Sequence, residues 1–302
     1  IANGSALSYS YCRYKEASVG RTSTLSTALR VEPAASERAP VADVARAVRS
    51  ATDGVRLQLA DGTSVPLPAA LVEVLGATTV GQGGTVPVRI KVTNLTGHKL
   101  PTGYGEGRRM WLRVVARDDQ DQVLWQSGVW DPDTGVLADN PPVKIYEVQQ
   151  GIWNFNGDGH CDVVDDATGK HLFHFVRNNC VALDNRIPPL GFRPRTSDDQ
   201  LDPETVPVNY SYPETAPGSQ QLVNWDTTTY LIPMSPGTTS AIEVEATLFY
   251  QTASKEYVEF LRDQAVENSF PDDCIARTTG PINMSRGEYL YTLWTDPRYG
   301  RS

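Results

Sequence analysis

Between positions 85 and 94 the chain reads TVPVRIKVTN, with Val86, Val88, Ile90 and Val92 at every second position. Side chains of a strand point alternately to its two faces, so this pattern predicts a strand with one buried face. MWLRVVARDDQDQVLWQSGVW (110–130) predicts two strands joined by a polar turn near Asp118 to Gln122. TYLIPM (229–234) and AIEVEATLFYQT (241–252) continue the β pattern. VRLQLADGTSVPL (55–67) alternates on both sides of Asp61-Gly62, a dipeptide suited to a tight hairpin. Helical spacing is confined to three stretches. They are VADVARAVRSAT (41–52), with Val41, Val44, Ala45 and Val48 on one face, EYVEFLRDQAV (256–266) and RGEYLYTLW (286–294). Residues 1–40 show little periodicity and are expected to form an extended arm, and residues 195–221 a long surface loop. Together these elements predict a mainly β chain, an immunoglobulin-like β-sandwich with long loops and a few short helices. An amino-terminal arm with a short helix and hairpin is expected over 1–75, and the sandwich over 76–302.

Composition narrows the partners. A formal net charge of -9 over 302 residues, with no concentrated basic run, argues against nucleic acid, whose phosphates such a surface repels. No stretch approaches the roughly 18 consecutive apolar residues of a membrane-spanning helix, so no membrane span is expected. The chain opens at Ile1 rather than Met, and a processed product is expected. Cys12, Cys161, Cys180 and Cys274 form no Cys-x-x-Cys pair. That excludes zinc-ribbon spacing and the Cys-x-x-Cys-His that attaches a c-type haem. Two disulfides are expected, Cys161 to Cys180 closing a local loop and Cys12 to Cys274 tying down the arm, with four reduced thiols as the other reading. Sequons begin at Asn3, Asn94, Asn209 and Asn283.

NFNGDGHCDVVD (154–165) places oxygen donors at its first, third, fifth, ninth and twelfth positions and glycine at its sixth. Calcium takes about six to eight oxygen ligands, and such a loop can wrap one ion. Asn154, Asn156, Asp158, Asp162 and Asp165 would supply side-chain oxygens, and His160 its backbone carbonyl. The spacing resembles the calcium loop of dockerins and EF-hand-like extracellular repeats. It departs in having Asn154 at the first position and no second loop. An ordinary Asn/Asp/Gly turn is the competing reading. His171 and His174 sit three apart in a segment whose Phe173, Phe175 and Val176 favour a strand, a poor basis for zinc. No nucleophile elbow, phosphate loop or dinucleotide fingerprint is present, and a non-enzymatic role is expected.

TNLTGHKLPTGYGEGRRMWLRV, IYEVQQGI, FHFVRNNCVALDNRIPPLGF and ATLFYQTASKEYVEFLRD resemble, over roughly residues 80–296, the carboxy-terminal β-rich domain of secreted multihaem c-type cytochromes. The GHKLPTG and DNRIPPLGF segments carry the likeness most specifically. The resemblance implies a β-domain packed against haem-bearing segments in periplasmic or extracellular electron transfer. It places His98 as an axial haem ligand or at a haem-facing edge, with Arg108 and Arg109 available to propionates or acidic side chains. Without Cys-x-x-Cys-His within it, this sequence does not itself attach a c-type haem: either a haem-bearing part lies upstream in a precursor, or a partner subunit carries the haem, or electron transfer is lost and the β-domain is kept as a structural piece. For His98 the other reading is a ring that organises its loop by bonding the backbone. The expected role is thus an exported subunit associated with multihaem cytochromes, or with other copies of an extracellular assembly or filament. The competing role is a structural or adhesive calcium-stabilised β-module without redox function.

Overall fold

In a computed structural model the chain is described over residues 69–76, 84–103, 105–174, 176–194, 212–233, 242–267 and 285–296, at positions 76, 265 and 267 by backbone only. Residues 24–31, 49–51, 56–58 and 64–66 are described as strands. The strands are β1 (Thr24–Val31), β2 (Arg49–Ala51), β3 (Arg56–Gln58), β4 (Ser64–Pro66), β5 (Ala70–Gly76), β6 (Thr85–Asn94) and β7 (Arg109–Arg117). They continue with β8 (Val123–Ser127), β9 (Ile145–Trp153), β10 (Cys161–Asp162), β11 (Cys180–Asp184), β12 (Trp225–Pro233) and β13 (Ile242–Gln251). Two helices follow, α1 (Lys255–Glu267) and α2 (Arg286–Thr295).

The mainly β expectation holds. One eight-stranded sheet runs β10-β9-β7-β13-β1-β2, with β8 added to β7 and β11 to β9, and a three-stranded sheet runs β12-β6-β5. All pairings are antiparallel. Val86, Val88, Ile90 and Val92 of β6 are buried while Thr85, Pro87 and Arg89 are exposed, as the alternation requires. They meet the inner face of the larger sheet, where Leu112, Val114 and Ala116 of β7 lie opposite Leu248, Ala246 and Val244 of β13. Apolar side chains from both sheets therefore form one core, a sandwich. β3 and β4 form the expected hairpin, with Leu57 opposite Val65.

One local expectation changes. Of the helix expected over 41–52 only 49–51 are described, and these form β2, paired to β1 through Arg49 and Ser26. Pairing with a long neighbouring strand outweighs a short helical spacing. Segments up to residue 76 supply strands to both sheets, β1 lying along most of β13 from Thr24–Phe249 to Val31–Ile242. Cys12, Cys274, the sequons at Asn3, Asn209 and Asn283, and positions 195–211 fall outside the described residues.

The outer face of the larger sheet is covered as well. β7 buries Trp111 and Val115 on that side, and Trp111 stacks on Phe249 at 5.2 Å. Gly128, in the left-handed region at φ 71°, lets the indole N–H of Trp111 donate to its carbonyl at 3.2 Å. A Cβ at that glycine would lie 2.2 Å from the Leu112 carbonyl oxygen. α1 and α2 cross where Gly287 meets the α1 backbone, a Cβ there falling 2.0 Å from the Leu261 oxygen. A capping box starts α2: Ser285 Oγ accepts from the Glu288 N–H at 3.2 Å, and Glu288 Oε2 accepts from the Ser285 N–H at 2.9 Å.

Candidate functional site

The two segments carrying the sequence likeness are brought together, although they lie some ninety positions apart along the chain. β6 ends at Asn94, which is buried and bonded at every polar atom. Its Oδ1 accepts from the Thr96 N–H at 2.8 Å and from Thr96 Oγ1 at 2.7 Å, turning the chain out of the strand. Its Nδ2 donates to the His98 carbonyl at 2.7 Å and to the Ile187 carbonyl at 2.9 Å. Its backbone N–H and carbonyl bond Asn224 at 2.8 and 2.9 Å. Leu100 and Ile187 then exchange two backbone hydrogen bonds of 2.9 Å. One asparagine side chain and one isolated bridge thus hold GHKLPTG against DNRIPPLGF.

A buried ion cluster reinforces the junction. Asp184, at the end of β11, has a side chain only 1% exposed. It accepts from Lys99 Nζ at 2.7 Å and, as a fork, from Arg186 Nε at 2.8 Å and Nη2 at 2.7 Å. Burial pushes its carboxyl up, but the Arg186 and Lys99 hydrogen bonds and charges outweigh burial and hold it below the ordinary carboxylate range. Burial draws the Lys99 ammonium below its usual value despite Asp184. The aliphatic end of Lys99 also brings its cation within 5.3 Å of the Phe192 ring centre. Asn185 continues the latch: its Oδ1 accepts from the Glu147 N–H and its Nδ2 donates to the Ile145 carbonyl, each at 2.7 Å, and its carbonyl accepts from Tyr212 OH at 2.6 Å.

His98 sits on this anchored loop with its side chain exposed. The loop is organised through the His98 backbone, whose carbonyl accepts from Asn94 and, at 2.9 Å, from Thr96 Oγ1. The ring makes no hydrogen bond to another described residue, so the reading in which the imidazole ties the loop is corrected. Leu95 and Leu190, on the two joined loops, are 51% and 79% exposed and give the site an apolar rim.

The two arginines diverge. Arg108 donates through Nη1 to the Thr102 carbonyl at 2.6 Å, in space left by Gly103 at φ 86°. Arg109 is buried beneath α1, its Nε donating to Gln251 Oε1 at 2.8 Å and its Nη1 lying 3.6 Å from Glu256 Oε2. Burial raises the Glu256 carboxyl, and Arg109 with bonds at the start of α1 brings it below its usual value. Across the strand pair from Arg109, Glu147 is raised by burial, which its Gln149 bond and Arg109 do not offset. Arg109 therefore serves the packing of α1 on β7 and β9.

Residues 154–160 form a closed turn between β9 and β10, and the stretch continues through β10 to Asp165. Asn154 Oδ1 accepts from the Gly159 N–H at 2.7 Å, Asn156 Oδ1 from Asp166 at 3.1 Å, Asp158 Oδ1 from His160 at 3.0 Å and Asp162 Oδ2 from Asn156 at 2.9 Å. The His160 carbonyl accepts from the Asn154 N–H at 2.6 Å. Asp165 takes the Ala167 N–H at 2.9 Å and Thr168 Oγ1 at 2.7 Å, facing its own following turn. Among the described residues no group of three or more His, Cys, Asp or Glu side chains could hold a metal ion. The Cys161–Cys180 disulfide is formed, and a Cβ on Gly151 beneath it would lie 3.1 Å from the Cys161 sulfur. The strand favoured at 171–176 is absent from its described residues. His171 instead stacks on Phe173 at 5.1 Å, and His174 meets Phe260 of α1 edge-on at 5.1 Å.

Asn94, Lys99, Asn185 and Tyr212 were not legible as site residues. Asp184 and Arg186 stand two positions apart at the start of DNRIPPLGF, where either could have an ionic partner, but nothing in the sequence marked them as a site. The signal that would have found Asn94 is its own Asn-x-Thr turn immediately ahead of the histidine.

No family model and no curated protein matches the chain. Among solved structures it is similar to a penta-heme cytochrome c552 from Thermochromatium tepidum, at 15% identity and a TM-score of 0.33. The likeness covers 64% of this chain and 34% of that one, so the chain spans about a third of that protein's length.

Proposed function

We propose that this chain is an exported, non-enzymatic β-sandwich subunit that associates with multihaem c-type cytochromes in an electron-transfer assembly and presents His98 to a haem carried by a partner. One observation carries the reading: an imidazole with no hydrogen bond to a described residue projects from a loop whose backbone is fixed on both sides by Asn94 and by the Leu100–Ile187 bridge. Haem iron accepts an imidazole nitrogen as axial ligand without companion protein donors, and a loop whose backbone is already fixed loses little further backbone freedom on ligation. The donor set therefore fits such a group at His98. It does not fit at Arg109, which is enclosed, and Arg108 is already bonded to Thr102. The sequence likeness of the two joined segments supports the same reading. The disulfide is suited to an oxidising compartment, and no described helix is long and apolar enough to cross a membrane.

The test is visible absorbance of the natively purified complex. A Soret band is expected to co-purify, and His98→Ala is expected to change its position or intensity if His98 ligates the iron. An unchanged spectrum in that variant means that His98 shields the haem instead. A native complex with no Soret band overturns the electron-transfer reading.

A further inference from the structure

We infer that Arg186, which nothing in the sequence pattern marked for this purpose, is the residue that binds an anionic carboxylate of the partner's haem beside His98. The inference rests on the haem-facing reading above. Two cations converge on one buried carboxylate: Lys99 and Arg186 both bond Asp184. Arg186 uses Nε, Nη2 and its backbone N–H toward Asp184. Its Nη1 bonds no described residue, and its side chain retains 18% exposure. The guanidinium is thereby locked in one orientation by a fork to Asp184 while its Nη1 edge meets no hydrogen-bond partner among the described residues, an arrangement suited to a second carboxylate.

The position is tied to His98 by two short routes. Lys99, the residue after His98, shares Asp184 with Arg186, and Asn94 bonds both the His98 carbonyl and the carbonyl of Ile187, the residue after Arg186. A tetrapyrrole whose iron is met by an imidazole carries its propionates at the ring edge, within reach of side chains next to the ligand. Arg108 and Arg109, the adjacent pair that the sequence offered for this role, are engaged elsewhere.

The experiment uses the whole chain and an N-acetylated ferric haem octapeptide, whose iron has one histidine and one open axial position, titrated at low ionic strength and followed by its Soret band. The same peptide with both propionates methyl-esterified is the second probe. The wild-type chain is expected to ligate both, the ester about tenfold more weakly, the loss of one charge-assisted hydrogen bond. Arg186→Gln is expected to bind the free acid about as weakly as the ester and to lose the discrimination between them, with circular dichroism confirming its fold. Should the wild-type chain bind acid and ester alike through His98, the assignment to Arg186 is wrong and the haem-facing reading stands. Should neither probe be ligated, or His98→Ala bind as the wild type does, the reading itself fails and the assignment falls with it. Because the ester comparison needs no variant, an unfolded Arg186→Gln still leaves equal binding of acid and ester able to overturn the assignment, and Arg186→Lys, which keeps the charge but loses the fork, is then the variant that separates Arg186 from Lys99.

Discussion

A carboxylate with a 1% exposed side chain, gripped by an ammonium and a guanidinium, makes Asp184 the residue on which the junction depends most. Removing one partner of a buried ionic cluster leaves the others desolvated and unpaired, so Asp184→Asn is expected to cost about 3 kcal/mol of folding stability near neutral pH, measured by urea denaturation. The folded Asp184 carboxyl sits below its unfolded value of about 3.9, so its contribution is whole above that pH. It is lost as pH falls through the unfolded value and on through the folded one. Glu147 acts with the opposite sign, because its raised folded value means that acid relieves a desolvated anion. The difference between wild type and Asp184→Asn isolates Asp184, and that difference is expected to shrink steadily below about pH 4. A constant difference across the acid range would refute this account. Sequence alone showed Asp184 beside Arg186, but Lys99 lies 85 positions away and only the fold delivers it.

Among the elements, strands with strict alternation were legible because one face of each is buried; β6 and β13 need nothing more. Elements decided by a distant neighbour were not, as β2 and the segment from His171 to His174 show. The 154–165 loop is instructive, since its residue types fit a calcium loop while its oxygens accept N–H groups of the loop itself. Asp165, the closing ligand of the calcium pattern, begins an Asp-x-x-Thr-Gly turn that recurs at Asp131. In the second copy Asp131 accepts from the Asp133 N–H at 2.8 Å and from Thr134 Oγ1 at 2.7 Å, and its backbone carbonyl accepts from the Gly135 N–H at 2.8 Å. The first copy repeats each bond with Ala167, Thr168 and Gly169. A chelator is therefore expected to leave the thermal midpoint unmoved. A drop on chelation, restored by added calcium, would show that a cation shares those oxygens.

The described part of the molecule is a sandwich whose larger sheet also carries Trp111 stacked on Phe249 on its outer side, with Tyr257 and Trp294 buried on the two helices. The helices were readable from their spacing, yet their crossing was not, because a single glycine sets it. Gly287→Ala is expected to force α2 away from the Leu261 carbonyl at a cost of about 2 kcal/mol, with altered tryptophan fluorescence from Trp294. Unchanged stability and emission would mean that the helices slide at no cost. The bonding of Asn94 reaches furthest. Its amide nitrogen, whose two hydrogens go to His98 and Ile187, is also the atom to which an oligosaccharyltransferase would attach a glycan in the Asn94-Leu95-Thr96 acceptor. Sugar and native junction exclude one another, so in a secretory host that performs this chemistry the order of events decides the product. Chains that fold before the enzyme reaches them close the site, and chains that are modified first carry a permanently open one.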